Sequence, residues 1–110
     1  MNWKNFSRTS LLLVSICLSS FSYAEAVWID VRSSFEHMMG SIEGDTHIPH
    51  GDIVEGVTKQ FPDKNTEIHL YCASGGRSGN AMSALEEAGY TNLSNAGGID
   101  DARKARGLAD

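Results

Sequence analysis

Cysteine is scarce in this chain, with only Cys17 and Cys72 among 110 residues, so at most one disulfide is possible. Basic residues are also short, 9 Lys and Arg against 14 Asp and Glu, for a formal charge of −5. That deficit argues against nucleic acid and anionic membrane as partners, because both need a basic footprint. Proline occurs only at Pro49 and Pro62. The longest apolar run, Leu11 to Phe21, is too short to span a membrane comfortably. Repeats, low-complexity tracts and linkers are absent, which leaves one small domain with a modest core.

The apolar run reads instead as the centre of a signal peptide. Lys4 and Arg8 supply its positive start, and Ser22-Tyr23-Ala24 a small-x-small cleavage signal. The expected division is residues 1–24 as signal peptide and residues 25–110 as the folded domain, with Ala24-Glu25-Ala26 as a second cleavage choice. A lipid anchor on Cys17 is disfavoured by bulky Ile16 before it. Cleavage leaves 7 basic residues against 14 acidic ones, a charge of −7, and Cys72 as the lone thiol. An exported, periplasmic domain without a cysteine pair has no internal disulfide. Its odd cysteine points to a reactive thiol or to intermolecular pairing.

Alternating elements follow along the domain. Val27 to Val31 reads as a buried strand, and Ser33 or Ser34 caps a short helical turn that Gly40 ends. Ile42 to Ile48 reads as turn and short extended segment, closed by Pro49. Ile53, Val57 and Phe61 fall at helical spacing from about Gly51 to Gln60. The turn at Pro62-Asp63-Lys64-Asn65 leads to a strand from Thr66 to Cys72. The spacing of Ala81, Met82, Leu85 and Ala88 predicts a helix from Ser78 to Ala88, stopped by Gly89. Tyr90 to Leu93 reads as a short strand, Asn95 to Gly98 as a tight loop, and Ile99 to Arg106 as a last helix. Strands alternating with helices imply an α/β fold with a parallel sheet, whose ligands collect at the carboxyl ends of the strands.

Cys72 stands at such an end, followed by Ala73-Ser74-Gly75-Gly76-Arg77-Ser78. The nucleophile is the thiolate, and a helix N-terminus or a cation lowers a thiol's pKa from about 8.5. The glycines let backbone N–H groups turn inward as an anion-binding nest. The helix start and Arg77 add positive charge. Such a pocket holds an oxyanion or the charge of a persulfide. The plainer alternative is an inert, buried cysteine before an ordinary turn.

Several strings, in order, give the chain a likeness to a known family. They are Trp28-Ile29-Asp30-Val31-Arg32, Gly40-Ser41-Ile42-Glu43-Gly44 with Ile48-Pro49, Tyr71-Cys72 with its loop, Ala88-Gly89-Tyr90, and Asn95-Ala96-Gly97-Gly98. Together they resemble the landmarks of a single-domain rhodanese over almost the whole domain. The resemblance implies a small rhodanese-like α/β fold, its central parallel sheet flanked by helices, that acts as a thiosulfate sulfurtransferase. Cys72 would take the sulfane sulfur of thiosulfate as a persulfide and pass it to cyanide or a thiol acceptor. The amides from Ala73 to Ser78 would stabilise that persulfide, and Arg77 would orient the anionic donor and keep Cys72 ionised. No cofactor or metal is expected, and the protein is expected to be a monomer. The chain departs from the family pattern at Ser41, at Asp45-Thr46-His47 and at Ile99-Asp100-Asp101.

Two rival functions are a persulfide carrier that does not turn over and a cysteine-dependent phosphatase or arsenate reductase. The phosphatase cradle has five residues between Cys and Arg, whereas four intervene here, and no acid for a leaving group stands beside the loop. Asp30 and Arg32 are expected to pair structurally, with Glu36 or with another loop. His47, His50 and Asp52 lack the regular spacing of metal ligands. His37 and His69 are expected on the surface. Arg103, Lys104 and Arg106 are expected to offset a helix C-terminus.

Overall fold

The computed structural model describes residues 25–109. The expected signal peptide lies outside the described residues.

Strand β1 (Val27–Asp30) starts the fold. Its alternation sends Ile29 to one side of the sheet and Trp28 to the other, each into a separate core cluster. Helix α1 (Ser34–Met39) follows behind a capping box, in which Ser33 accepts from the Glu36 amide while the Glu36 carboxylate accepts from the Ser33 amide. The two-residue strand β2 (Thr46–His47), a 3-10 turn (His50–Asp52) and helix α2 (Ile53–Gln60) come next. Strand β3 (Ile68–Cys72) ends on the cysteine, as its alternation predicts. Helix α3 (Gly76–Glu87) starts two residues before the expected Ser78, which puts Arg77 inside its first turn.

The largest correction falls on the last strand. β4 runs from Leu93 to Gly98, through residues that read as a tight loop, because Asn, Ala and Gly have low strand propensity. Pairing with β3 overrides that propensity. The register slips between Leu70 and Tyr71, so that Leu70 faces Asn95 and Tyr71 faces Gly97. Ala96 is the extra residue of this bulge. Helix α4 (Ile99–Ala105) closes the chain at about its expected length.

All pairings are parallel, in the order β2-β1-β3-β4. The direction of winding reverses between central β1 and β3, so Cys72 lies at the carboxyl end of the sheet beside the switch point. Helices cover both faces. On one, Ile29, Val31, Ile68, Leu70 and Cys72 pack with Val57 of α2 and Ala81 and Leu85 of α3. On the other, Tyr71 and Ile42 pack with Ala102 of α4, flanked by Trp28 and Ile99.

Several polar expectations change once packed. Asp30 is fully buried and pairs with Arg32 rather than with Glu36, through bonds of 2.9 to 3.2 Å. Arg32 also donates to the Gly40 carbonyl at 2.6 Å, which ties the end of α1 to the sheet. His37 is half-buried rather than fully at the surface: it hydrogen-bonds Asp30 at 3.2 Å and stacks on His47, with ring centroids 4.2 Å apart. His69 likewise turns from solvent to stack on Trp28 at 4.4 Å. Arg106 leaves the helix terminus and grips Asp45 with two bonds, 2.7 and 2.9 Å long, while lying over the Trp28 ring. Asp45 also accepts from the Tyr71 hydroxyl at 2.6 Å. The Asp45 departure from the family pattern therefore has a use as the hub of a network that closes this face.

Candidate active site

Three elements meet at the carboxyl end of β3. The strand delivers Cys72, the loop Ala73-Ser74-Gly75 turns over its sulfur, and α3 starts at Gly76. Gly75 has φ of +106°, in the left-handed region that favours glycine. That conformation lets its amide turn back and donate to Cys72 Sγ at 2.9 Å. Ala73, Ser74 and Gly76 are exposed, whereas Cys72 and Ser78 are buried. The sulfur thus sits beneath a surface loop.

Burial alone pushes the Cys72 thiol up. The Ser78 hydroxyl and the amides of Ser78, Gly75 and Ser74 outweigh it, and bring the thiol down to about 7. The thiolate is therefore held by neutral hydrogen-bond donors. The Arg77 guanidinium is not among the leading causes, although it and the Cys72 thiolate attract each other.

Arg77 bridges to α1. Its Nη1 and Nη2 donate to the two oxygens of Glu36, at 2.6 and 2.9 Å, across 41 residues of sequence. This paired geometry is among the stronger ion-pair arrangements. It holds the Glu36 carboxyl well below the usual carboxylate range, with the Ser33 capping bonds adding to the effect. Glu36 was missed: Ser33-x-x-Glu36 has the spacing of a capping box, but nothing local points to Arg77 as its partner.

Asn95 was also missed. The Ser78 hydroxyl has one proton to give, and it lies 2.7 Å from Asn95 Oδ1, 3.1 Å from the Gly75 carbonyl and 3.5 Å from Cys72 Sγ. Asn95 Nδ2 in turn donates to the Gly75 carbonyl at 3.0 Å, and Asn95 Oδ1 accepts from the Gly97 amide at 2.9 Å. One side chain of β4 thus fixes both the loop and the hydroxyl beside the sulfur.

The end of β4 also has a steric reason for glycine. A Cβ at Gly98 would lie 2.4 Å from the Ala73 carbonyl oxygen, and one at Gly97 would lie 2.7 Å from Asp101 Oδ2. The cysteine loop rests directly on this backbone. The remaining candidates stay out of the site. His47 donates to or accepts from no acid; its Nε2 meets the Arg32 carbonyl at 2.8 Å. Among the described residues, no cluster of three or more His, Cys, Asp or Glu is arranged to hold a metal.

A parallel α/β domain with a cysteine in an amide-lined loop at the switch point has rhodanese-type architecture. The chain is a member of the rhodanese family: residues 19–105 match the model for the rhodanese-like domain. The thiosulfate sulfurtransferase PspE of Escherichia coli is 35% identical over 94 residues, 86% of this chain and 90% of its own. YtwF of Bacillus subtilis is 37% identical over 75 residues, 68% of this chain and 71% of its own. An E. coli rhodanese structure with anions superposes with a TM-score of 0.66 at 38% identity, covering 70% of this chain and 91% of that one. The rhodanese-like domain of the Anabaena Alr3790 protein gives 0.68 at 27% identity, covering 77% and 97%. Family membership and these relatives support a sulfurtransferase.

Proposed function

We propose that the chain is an exported thiosulfate sulfurtransferase in which Cys72 carries sulfane sulfur as a persulfide. The observation that carries the reading is the sulfur itself, held by the Gly75 amide at 2.9 Å with its thiol lowered to about 7. The Cys72 thiolate attacks the outer sulfur of thiosulfate. A bond forms between the two sulfurs, the sulfur–sulfur bond of thiosulfate breaks, and sulfite leaves with the electron pair. The persulfide keeps one negative charge where the amides of Ser74, Gly75 and Ser78 point. Cyanide then attacks the outer persulfur and departs as thiocyanate, restoring the thiolate. A thiol acceptor attacks the same atom and leaves carrying the persulfide. Each half-reaction moves one neutral sulfur atom from donor to protein or from protein to acceptor, so no external oxidant or reductant is needed.

The similarity to a thiosulfate sulfurtransferase over most of both chains supports thiosulfate as donor. The burial of Cys72 under its loop favours a slender donor sulfur over a bulky one. Phosphoryl transfer fits less well, because Arg77 already has a carboxylate partner and four residues separate it from Cys72. Export to the periplasm with cleavage after Ala24 is supported by the pattern of residues 1–24, and the protein recovered from that compartment would start at Glu25.

Steady-state kinetics test the function. Thiocyanate formation with varied thiosulfate and cyanide should give the parallel double-reciprocal lines of a ping-pong reaction. Intersecting lines would sink the persulfide mechanism. Rapid loading of Cys72 without thiocyanate release would make the protein a carrier.

A further inference from the structure

Helix α1 packs in an unusual sense. It turns Glu36 and His37 inward onto Arg77 and Asp30 and leaves Phe35, Met38 and Met39 exposed. Glu36 is a half-exposed carboxylate one contact away from the cysteine loop, beside a site that takes anions. Its position is nonetheless built in four ways, through the Ser33 amide at 3.0 Å, the Ser33 hydroxyl at 2.9 Å and two bonds from Arg77. Neutral donors are the leading stabilisers of the thiolate, and Arg77 and Cys72 attract each other as well. Arg77 sits in the first turn of the helix that follows the cysteine loop, and its charge is paired with Glu36.

We infer that Glu36 is a positioning residue that sets donor selectivity: it fixes the Arg77 guanidinium at the loop and cancels much of its charge, tuning the site away from strongly anionic donors. The bidentate bonds occupy one edge of the guanidinium. Its Nε–H and the outer N–H groups remain for a donor oxygen. A monoanionic or neutral persulfide donor then loses little at this site, whereas a dianion is bound less tightly than an unpaired arginine would bind it. The inference deepens the sulfurtransferase reading and rests on it for the identity of the donor.

Glu36→Gln is the clean probe, because glutamine serves at the same capping-box position and still offers Arg77 an oxygen. It removes charge and little else. The first readout needs no sulfur transfer: the rate of Cys72 alkylation by iodoacetate divided by that of iodoacetamide, two reagents of near-equal size that differ by one charge. This ratio should rise about threefold in E36Q, the order expected for one charge several ångströms away in a high dielectric. In sulfurtransfer assays the KM for thiosulfate should fall further, because thiosulfate carries two charges, while kcat stays close to wild type. A ratio that is unchanged or lower in E36Q overturns the inference. The wild-type protein supplies a second check that no misfolded variant can spoil. Its ratio must not fall as salt is added, since a fall would reveal an uncompensated Arg77 charge. If the ratio rises in E36Q but no sulfur is ever transferred, the electrostatic role of Glu36 stands and the sulfurtransferase reading fails.

Discussion

Cys72 is pulled in two directions, and the balance predicts its pH behaviour. Burial raises its pKa, hydrogen bonds from Ser78, Gly75 and Ser74 lower it, and the net result is about 7 against an ordinary 9.0. The thiolate fraction grows with pH, so kcat/KM for thiosulfate should rise through about pH 7 and level off above it. Ser78→Ala removes the hydroxyl 3.5 Å from the sulfur and should move that rise upward by up to about one pH unit, the worth of one hydrogen bond. A pH profile identical to wild type would remove Ser78 from the account. A lowered folded pKa also stabilises the fold, fully above the unfolded value of 9.0 and with loss as pH falls through about 7. Melting temperatures of wild type and Cys72→Ser should therefore diverge in favour of wild type between these two values. Cys72 and its loop were legible because strand end, glycines and helix start are contiguous. Glu36 and Asn95 were not, because each reaches the loop from an element 41 or 20 residues away in sequence.

At the scale of elements, the neighbouring strands β3 and β4 behave differently under sequence reading. β3 shows itself through alternation, since Ile68, Leu70 and Cys72 share one face and Tyr71 takes the other. β4 hides, because its last residues are chosen for close approach rather than for strand propensity. Gly98 has no room for a side chain beside the Ala73 carbonyl. Gly98→Ala should push the cysteine loop outward and destabilise the domain by about 1–3 kcal/mol, the range for overpacking. Denaturant melts measure the stability, and Cys72 alkylation rates report the loop. A variant with wild-type stability and wild-type reactivity would show that the loop does not rest on β4. Helix α1 carries the same lesson in reverse, because its serine cap was readable while the partners of Glu36 and His37 were not. Phe35, Met38 and Met39 are left exposed on this six-residue helix.

For the whole molecule, two polar networks tie the loops to a small two-faced core. One joins Asp30, Arg32, His37 and the Gly40 carbonyl, and the other joins Asp45, Tyr71 and Arg106. In the first, Asp30 is fully buried and its hydrogen bonds outweigh burial, so its carboxyl titrates below the ordinary range. Its contribution to stability is present above the ordinary carboxylate pKa and is lost as pH falls through the lowered one. Asp30→Asn leaves the Arg32 charge buried without its partner, and should cost about 3–5 kcal/mol. A loss below about 1 kcal/mol would place the pair among surface ion pairs instead. The parallel α/β class was readable from alternating periods, but these networks were not, because they join side chains that only the fold brings together.

The central claim is that sulfur passes through Cys72, and intact-mass spectrometry of a single turnover tests it most directly. After thiosulfate is added and removed, the wild-type chain should carry the mass of one extra sulfur atom, and a pulse of cyanide should erase that mass and release one equivalent of thiocyanate. Cys72→Ser should show neither. Thiocyanate formed by the variant, or by a wild-type chain that never gains the extra mass, would contradict the account.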